Sequence, residues 1–231
     1  MLQVLLLFTE EQPTFSVDEI VGRTGIPPQS VYRYVSLLRE LGLAEEHSYG
    51  RYALTPQALA LGRAAEVVYA QSSVVHERLD HLAHVSGETS LLLRRVEDHA
   101  ICAELVETPQ TVRLSFRIGH RMPLHRGAAP KVLLAGLGEE WAQRYFRRCM
   151  PVVPEAERTE RLRELSVIRE RRWAESASEV DEGIWAVAAP IWNGDRMIAA
   201  LTVAGPQFRI TSRKAKTIRD EVVRVAADLS A

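Results

Sequence analysis

The sequence predicts an α+β protein in two parts. A winged helix-turn-helix is followed by a helical connector and a larger domain built on an antiparallel sheet. Three observations predict it. Residues 24–43 have the composition and periodicity of a recognition helix with its turn. A short hairpin with Gly in its loop follows at once. From residue 90 onward, strand patterns joined by tight turns mix with amphipathic helices.

Residues 1–8 are apolar but short, lack a basic lead-in and run into Thr9-Glu10-Glu11, which reads as a first core helix rather than a signal peptide. Ser16 and Glu19 form a capping box, with Phe15 and Ile20 placed for a hydrophobic staple. The short helix they start carries Val17, Ile20 and Val21 and ends at residues 22–25. Pro27 and Pro28 pre-set the first turn of the next helix. Val31, Val35, Leu38 and Leu41 recur on one face, and Gly42 stands where a left-handed C-terminal residue is wanted. Gln29, Ser30, Arg33 and Ser36 fall largely off that face. Hydrogen-bonding side chains near the N-terminal half of such a helix are placed to reach base edges in a major groove. Residues 43–46 and 51–54 flank a polar turn, with Arg51 available for a phosphate.

Thr55-Pro56 caps a connector helix, and Val74, Val75, Leu79, Leu82 and Val85 mark a second. The domain boundary is placed near Ala70, giving domains 1–70 and 71–231. Strands are expected over 90–96, 100–107 and 111–116. Helices are expected over 131–136, 139–148 and 157–175. A hairpin is expected over 184–192 and 197–204 about Asn193-Gly194, and a last helix over 211–229.

A hydrophobic share of 46% with 26% charged residues is that of a soluble globular chain, and no run approaches transmembrane length. The net charge of −1 argues against a general polyanion binder. Residues 1–70 hold five arginines and eight carboxylates, a net of −3, which opposes DNA binding unless the arginines cluster. Arg33, Arg39 and Arg51 do lie on the candidate recognition helix and hairpin. Cys102 and Cys149 read as reduced thiols of a cytoplasmic protein. His76, His81 and His84 lack the spacing of a helical metal pair. His120 and His125 have no nearby cysteines or paired carboxylates. No nucleophile elbow, phosphate loop or dinucleotide fingerprint appears, so neither an enzyme nor a cofactor or metal site is expected.

Several segments together resemble the IclR family of transcriptional regulators over nearly the whole chain. They are Gly25-Ile26-Pro27 with Ser30-Val31-Tyr32-Arg33, then Ser86-Gly87-Glu88-Thr89, then Pro123-Leu124-His125 with Lys131-Val132-Leu133-Leu134-Ala135. At the C-terminal end they are Glu179, Gly183, Ala188-Ala189-Pro190 and Gly205-Pro206 with Arg209. The resemblance implies a GAF-like effector domain, a double-stranded DNA operator, assembly as a homodimer or dimer of dimers, and a small organic ligand. It adds Tyr32 to Gln29, Ser30, Arg33 and Arg51 as DNA-binding positions. It implies effector contacts at Ala128, Ala129, Ala186, Thr202 and Ala204. Backbone N–H groups at residues 127–129 open a helix there, where a carboxylate is favoured, but Pro130 withdraws one donor. The alanines at 186 and 204 leave an apolar pocket, which suits an aromatic or otherwise bulky organic acid over a glyoxylate-sized one. Two functions remain open on the sequence: a ligand-responsive DNA-binding regulator, or a small-molecule module whose N-terminal helices serve dimerisation or protein contact.

Overall fold

The computed structural model describes residues 1–9, 11–69, 73–112, 114 and 116–231. The chain divides into two compact units, Met1–Ala70 and Gln71–Ala231. The boundary expected near Ala70 itself lies outside the described residues.

The first unit comprises α1 (Leu2–Leu5), β1 (Thr14–Ser16), α2 (Val17–Thr24), α3 (Pro28–Glu40), β2 (Ala44–Ser48), β3 (Arg51–Leu54) and α4 (Pro56–Tyr69). The first helix is shorter than the expected 1–8: the Leu7 N–H bonds to Val4 O (3.3 Å), an i−3 turn that closes the helix, and the Thr9 N–H then donates forward to Gln12 O (3.2 Å). The capping box is present in both directions: the Ser16 N–H donates to Glu19 Oε2 (2.7 Å), and the Glu19 N–H donates to Ser16 Oγ (3.2 Å). Phe15 and Ile20 are fully buried beside Val31, Val35 and Leu38. Leu41 departs from the expected apolar face and is 55% exposed. The helix closes in a Schellman turn, with the Gly42 N–H on Arg39 O (2.9 Å) and the Leu43 N–H on Leu38 O (2.8 Å). That turn swings Leu41 outward, and Leu43 packs on the core in its place. Gly42 holds φ +68°, and a Cβ there would meet the Gln57 side chain at 2.6 Å. The wing has three strands, ordered β1-β3-β2, rather than two, because Thr14, Phe15 and Ser16 pair with Ala53, Tyr52 and Arg51.

The second unit comprises α5 (Ser73–Ser86), β4 (Thr89–Val96), β5 (His99–Val106), β6 (Arg121–Pro123), α6 (Ala128–Ala135), α7 (Glu139–Cys149), α8 (Glu155–Arg171), β7 (Ala174–Ala177), β8 (Ile184–Asn193), β9 (Arg196–Pro206) and α9 (Ser212–Asp228). Its antiparallel sheet is ordered β6-β5-β4-β9-β8-β7. Strand alternation sorts the side chains into two layers. Leu92, Val187, Leu201 and Val203 pack on α5 and α9. Leu91, Leu93, Ala188, Ala200 and Ala204 pack on α6, α7 and α8. Every residue of α6 is buried.

Two expectations are corrected here. No strand runs through the described residues of 111–116, of which Arg113 and Ser115 lie outside the description. The Val112 carbonyl accepts from the Arg209 guanidinium (2.8 Å), and the sheet continues through β6 instead. The helix expected over 157–175 stops at Arg171, because Arg172 adopts a left-handed conformation (φ +60°). The chain then enters β7, which pairs along β8.

Candidate functional site

On α3, Val31, Val35 and Leu38 face the core while Gln29, Tyr32, Arg33, Ser36 and Arg39 are exposed on the opposite side. Ser30 is half-buried, its N–H bonded to Pro27 O (2.9 Å). The Arg33 guanidinium lies 5.4 Å from the Tyr34 ring centroid, which steadies it without neutralising it. Neither Arg33 nor Arg39 is ion-paired among the described residues. α3 therefore presents a polar, cationic stripe within a unit of negative net charge.

Arg51 is placed differently from the sequence expectation. Its Nε donates to Thr14 Oγ1 (3.2 Å) and its Nη2 to Thr14 O (3.0 Å), and Nη2 pairs with Glu19 Oε2 at 3.1 Å. The Ser16 backbone N–H first, and Arg51 after it, hold the Glu19 carboxyl below the usual carboxylate range. The guanidinium thus ties β3 to β1 and to the cap of α2, and a phosphate would have to displace those bonds. The wing tip itself carries exposed Glu45, Glu46 and Tyr49 and no cation.

In the second unit, all five expected effector positions line one cavity. Ala128 and Ala129 come from the start of α6, Ala186 from β8, and Thr202 and Ala204 from β9. Leu91, Leu93, Phe116, Met122, Val180 and Ile184 supply most of the remaining wall, which is mainly apolar, with Ser176 and Asp181 as its polar side chains. Gly127 holds φ +90° at the entrance to α6, where a Cβ would meet Val180 at 2.9 Å. The cavity measures about 40 Å³, room for roughly three waters.

The helix start offers fewer free donors than expected. The Gly127 N–H donates to Glu179 Oε2 (3.0 Å), and the Ala128 N–H donates to Ser176 Oγ (3.0 Å). Pro130 has none. The Ala129 N–H is left without an acceptor among the described residues. Thr202 already donates its hydroxyl to Val187 O (2.7 Å). Lys131 is buried and bridges Glu164 and Glu179, each at 2.6 Å, so it is a strut behind the helix start. Ser176 and Glu179 are the positions that hold this helix start. Sequence reading missed Ser176 because it assigned the preceding residues to the end of a long helix.

The other titratable groups are accounted for locally. His125 Nδ1 meets the Tyr145 hydroxyl at 2.8 Å. Burial first, then Arg161 and Arg126, lowers the His125 pKa, and burial pushes the Tyr145 hydroxyl up to about 12. Cys102 is buried and its thiol is pushed up to about 12, while Cys149 is exposed. Among the described residues, no three of His, Cys, Asp and Glu gather as metal ligands, and no helix is long and apolar enough to cross a membrane.

Comparison with known proteins decides the lineage. Residues 1–48 match the IclR helix-turn-helix domain, and residues 70–231 match the C-terminal domain of bacterial IclR transcriptional regulators. The chain belongs to the IclR family. Like other IclR-type regulators, it joins an N-terminal DNA-binding domain to a C-terminal effector domain. It is 28% identical to the transcriptional regulator KipR of Bacillus subtilis over 226 residues, covering 95% of this chain and 90% of KipR. An IclR regulator from Alicyclobacillus acidocaldarius superposes with a TM-score of 0.78 at 24% identity, covering 99% of this chain and 94% of that one. An IclR homologue from Microbacterium hydrocarbonoxydans, solved in complex with 4-hydroxybenzoate, superposes with a TM-score of 0.76 at 19% identity, covering 99% and 96%. Both likenesses support the same fold.

Proposed function

We propose that this IclR-family regulator reads a double-stranded operator with the exposed stripe of α3 and responds to an organic acid held at the start of α6. It acts by binding rather than by catalysis, in the cytoplasm, as a homodimer or dimer of dimers. The observation that carries the reading is the convergence of Ala128, Ala129, Ala186, Thr202 and Ala204 on one cavity. Its apolar lining favours an aromatic or otherwise bulky acid over a glyoxylate-sized one. The small cavity volume means that such a ligand enters by displacing wall side chains such as Phe116 and Val180. The 4-hydroxybenzoate complex of the Microbacterium homologue supports the ligand class. The Ala129 N–H and the Ser176 hydroxyl are placed to receive the carboxylate.

An electrophoretic shift assay on the DNA upstream of the gene, titrated with small keto acids and aromatic acids, tests this. A responsive acid should change operator affinity by about 5- to 150-fold. Ala129→Trp, which fills the cavity, should abolish that response and leave binding without ligand intact. A response confined to the small keto acids would refute the ligand class, and absence of any specific shift would refute the operator reading.

A further inference from the structure

The ladder pairings place Ser176 opposite Ala186, Ala186 opposite Ala204, and Ala204 opposite Thr89. Directly paired residues project from the same face of a sheet. The four therefore form one row across β7, β8, β9 and β4, on the face that bears the cavity. A hydroxyl stands at each end of the row and two methyl groups lie between. Ser176, Ala186 and Ala204 line the cavity. Thr89 lies two residues before Leu91 on β4, and Leu91 also lines it.

Thr89 is 1% exposed, yet its Oγ1 has no hydrogen-bond partner among the described residues. Nearby hydroxyls are engaged: Ser86 on Leu82 O, Ser90 on Leu79 O, Thr108 on Gly87 O and Thr202 on Val187 O. Thr89 does not itself line the cavity, but its paired neighbour Ala204 and its strand neighbour Leu91 do, and a buried hydroxyl without a partner calls for one. At the other end, Ser176 Oγ accepts the Ala128 N–H, and its own hydrogen remains available to a carboxylate.

We propose that Thr89 is a second polar anchor of the effector cavity, and that the effector is an elongated organic acid with a hydrogen-bonding group at the end remote from its carboxylate. This rests on the organic-acid reading above. Three strand spacings set the two anchoring residues about 14 Å apart. The acid lies along the row, its carboxylate at Ser176 and the Ala129 N–H, its apolar middle over Ala186 and Ala204, and its distal group at Thr89.

Calorimetry on the full chain with matched pairs tests it: benzoate against 4-hydroxybenzoate, and 3-phenylpropanoate against 3-(4-hydroxyphenyl)propanoate. In at least one pair the hydroxylated acid should bind about tenfold tighter, as one added hydrogen bond provides. Thr89→Val should erase that preference and leave affinity for the unhydroxylated acid unchanged. Thr89→Ser should keep the preference. Melting curves check that both variants fold. If acids bind but the distal hydroxyl confers nothing, or if Thr89→Val retains the preference, the Thr89 assignment fails and the effector reading stands. If none of the four acids binds, both fail.

Discussion

Arg33 and Arg51, two arginines of one small domain, are held in different ways. Arg33 projects from the exposed face of α3 with the Tyr34 ring beside it. Arg51 is bound to Thr14 and Glu19. Arg33→Ala is therefore expected to weaken operator binding by about 1–3 kcal/mol if it reads a base edge, with an unchanged melting temperature. Arg51→Ala is expected to lower the melting temperature of the winged unit and to leave the salt dependence of DNA binding near that of the parent. Shift assays at several salt concentrations, run beside thermal melts, check both. A flattened salt slope for Arg51→Ala would restore the phosphate contact that the sequence suggested. Residue type alone did not separate the two roles. The difference arises because β1, which carries Thr14, pairs with β3.

At the scale of elements, α5 and α9 lie on the same face of the sheet and are clasped by side chains. His81 on α5 meets Glu221 on α9 at 2.5 Å, and Arg224 one turn on pairs with the same carboxylate at 2.6 Å. Arg224 first, and His81 after it, lower the Glu221 carboxyl from 4.5 to about 2. A carboxylate held below its unfolded value stabilises the fold above that value and loses the contribution as pH falls through the folded one. The Glu221 contribution is thus complete above about pH 4.5 and lost toward pH 2. Arg224 is half exposed, so solvent screening reduces it to on the order of 1–2 kcal/mol. Denaturant unfolding of Glu221→Gln should show a deficit against the parent at pH 5 that closes toward pH 2.5. A deficit that is constant with pH would mean that the Glu221 carboxylate charge contributes nothing to stability.

For the whole molecule, the dimer expected from the family resemblance cannot rest on the apolar residues that the first helix turns inward. Val4 is fully buried, and Leu5, Leu7 and Phe8 pack against the core of their own unit. Exposed aliphatic side chains of this unit include Leu2 and Leu6 at the first helix, Leu37 and Leu41 at the end of α3, and Leu59 and Leu61 on α4. Large apolar side chains left in water are a source of self-association. Light scattering at micromolar concentration is expected to give at least twice the 25.9 kDa of one chain. Leu2→Glu with Leu6→Glu should lower that mass toward one chain and weaken operator binding. A monomeric parent would exclude the dimer.

Elements whose causes are local were legible in the sequence. The capping box at Ser16 and Glu19, the prolines opening α3, the Gly42 stop and the late hairpin are each encoded within a few residues. The motifs along the chain also indicated the family. What needed the tertiary structure was every feature set by a distant partner. β1 exists because Arg51, Tyr52 and Ala53 lie across from it. β7 ends a pattern that reads as helix because the edge of β8 supplies its hydrogen bonds. The row from Ser176 to Thr89 joins residues far apart in sequence through strand register, and register is decided by packing on both faces of the sheet. Which amides of α6 remain free likewise depends on Ser176 and Glu179 folding back onto the helix start.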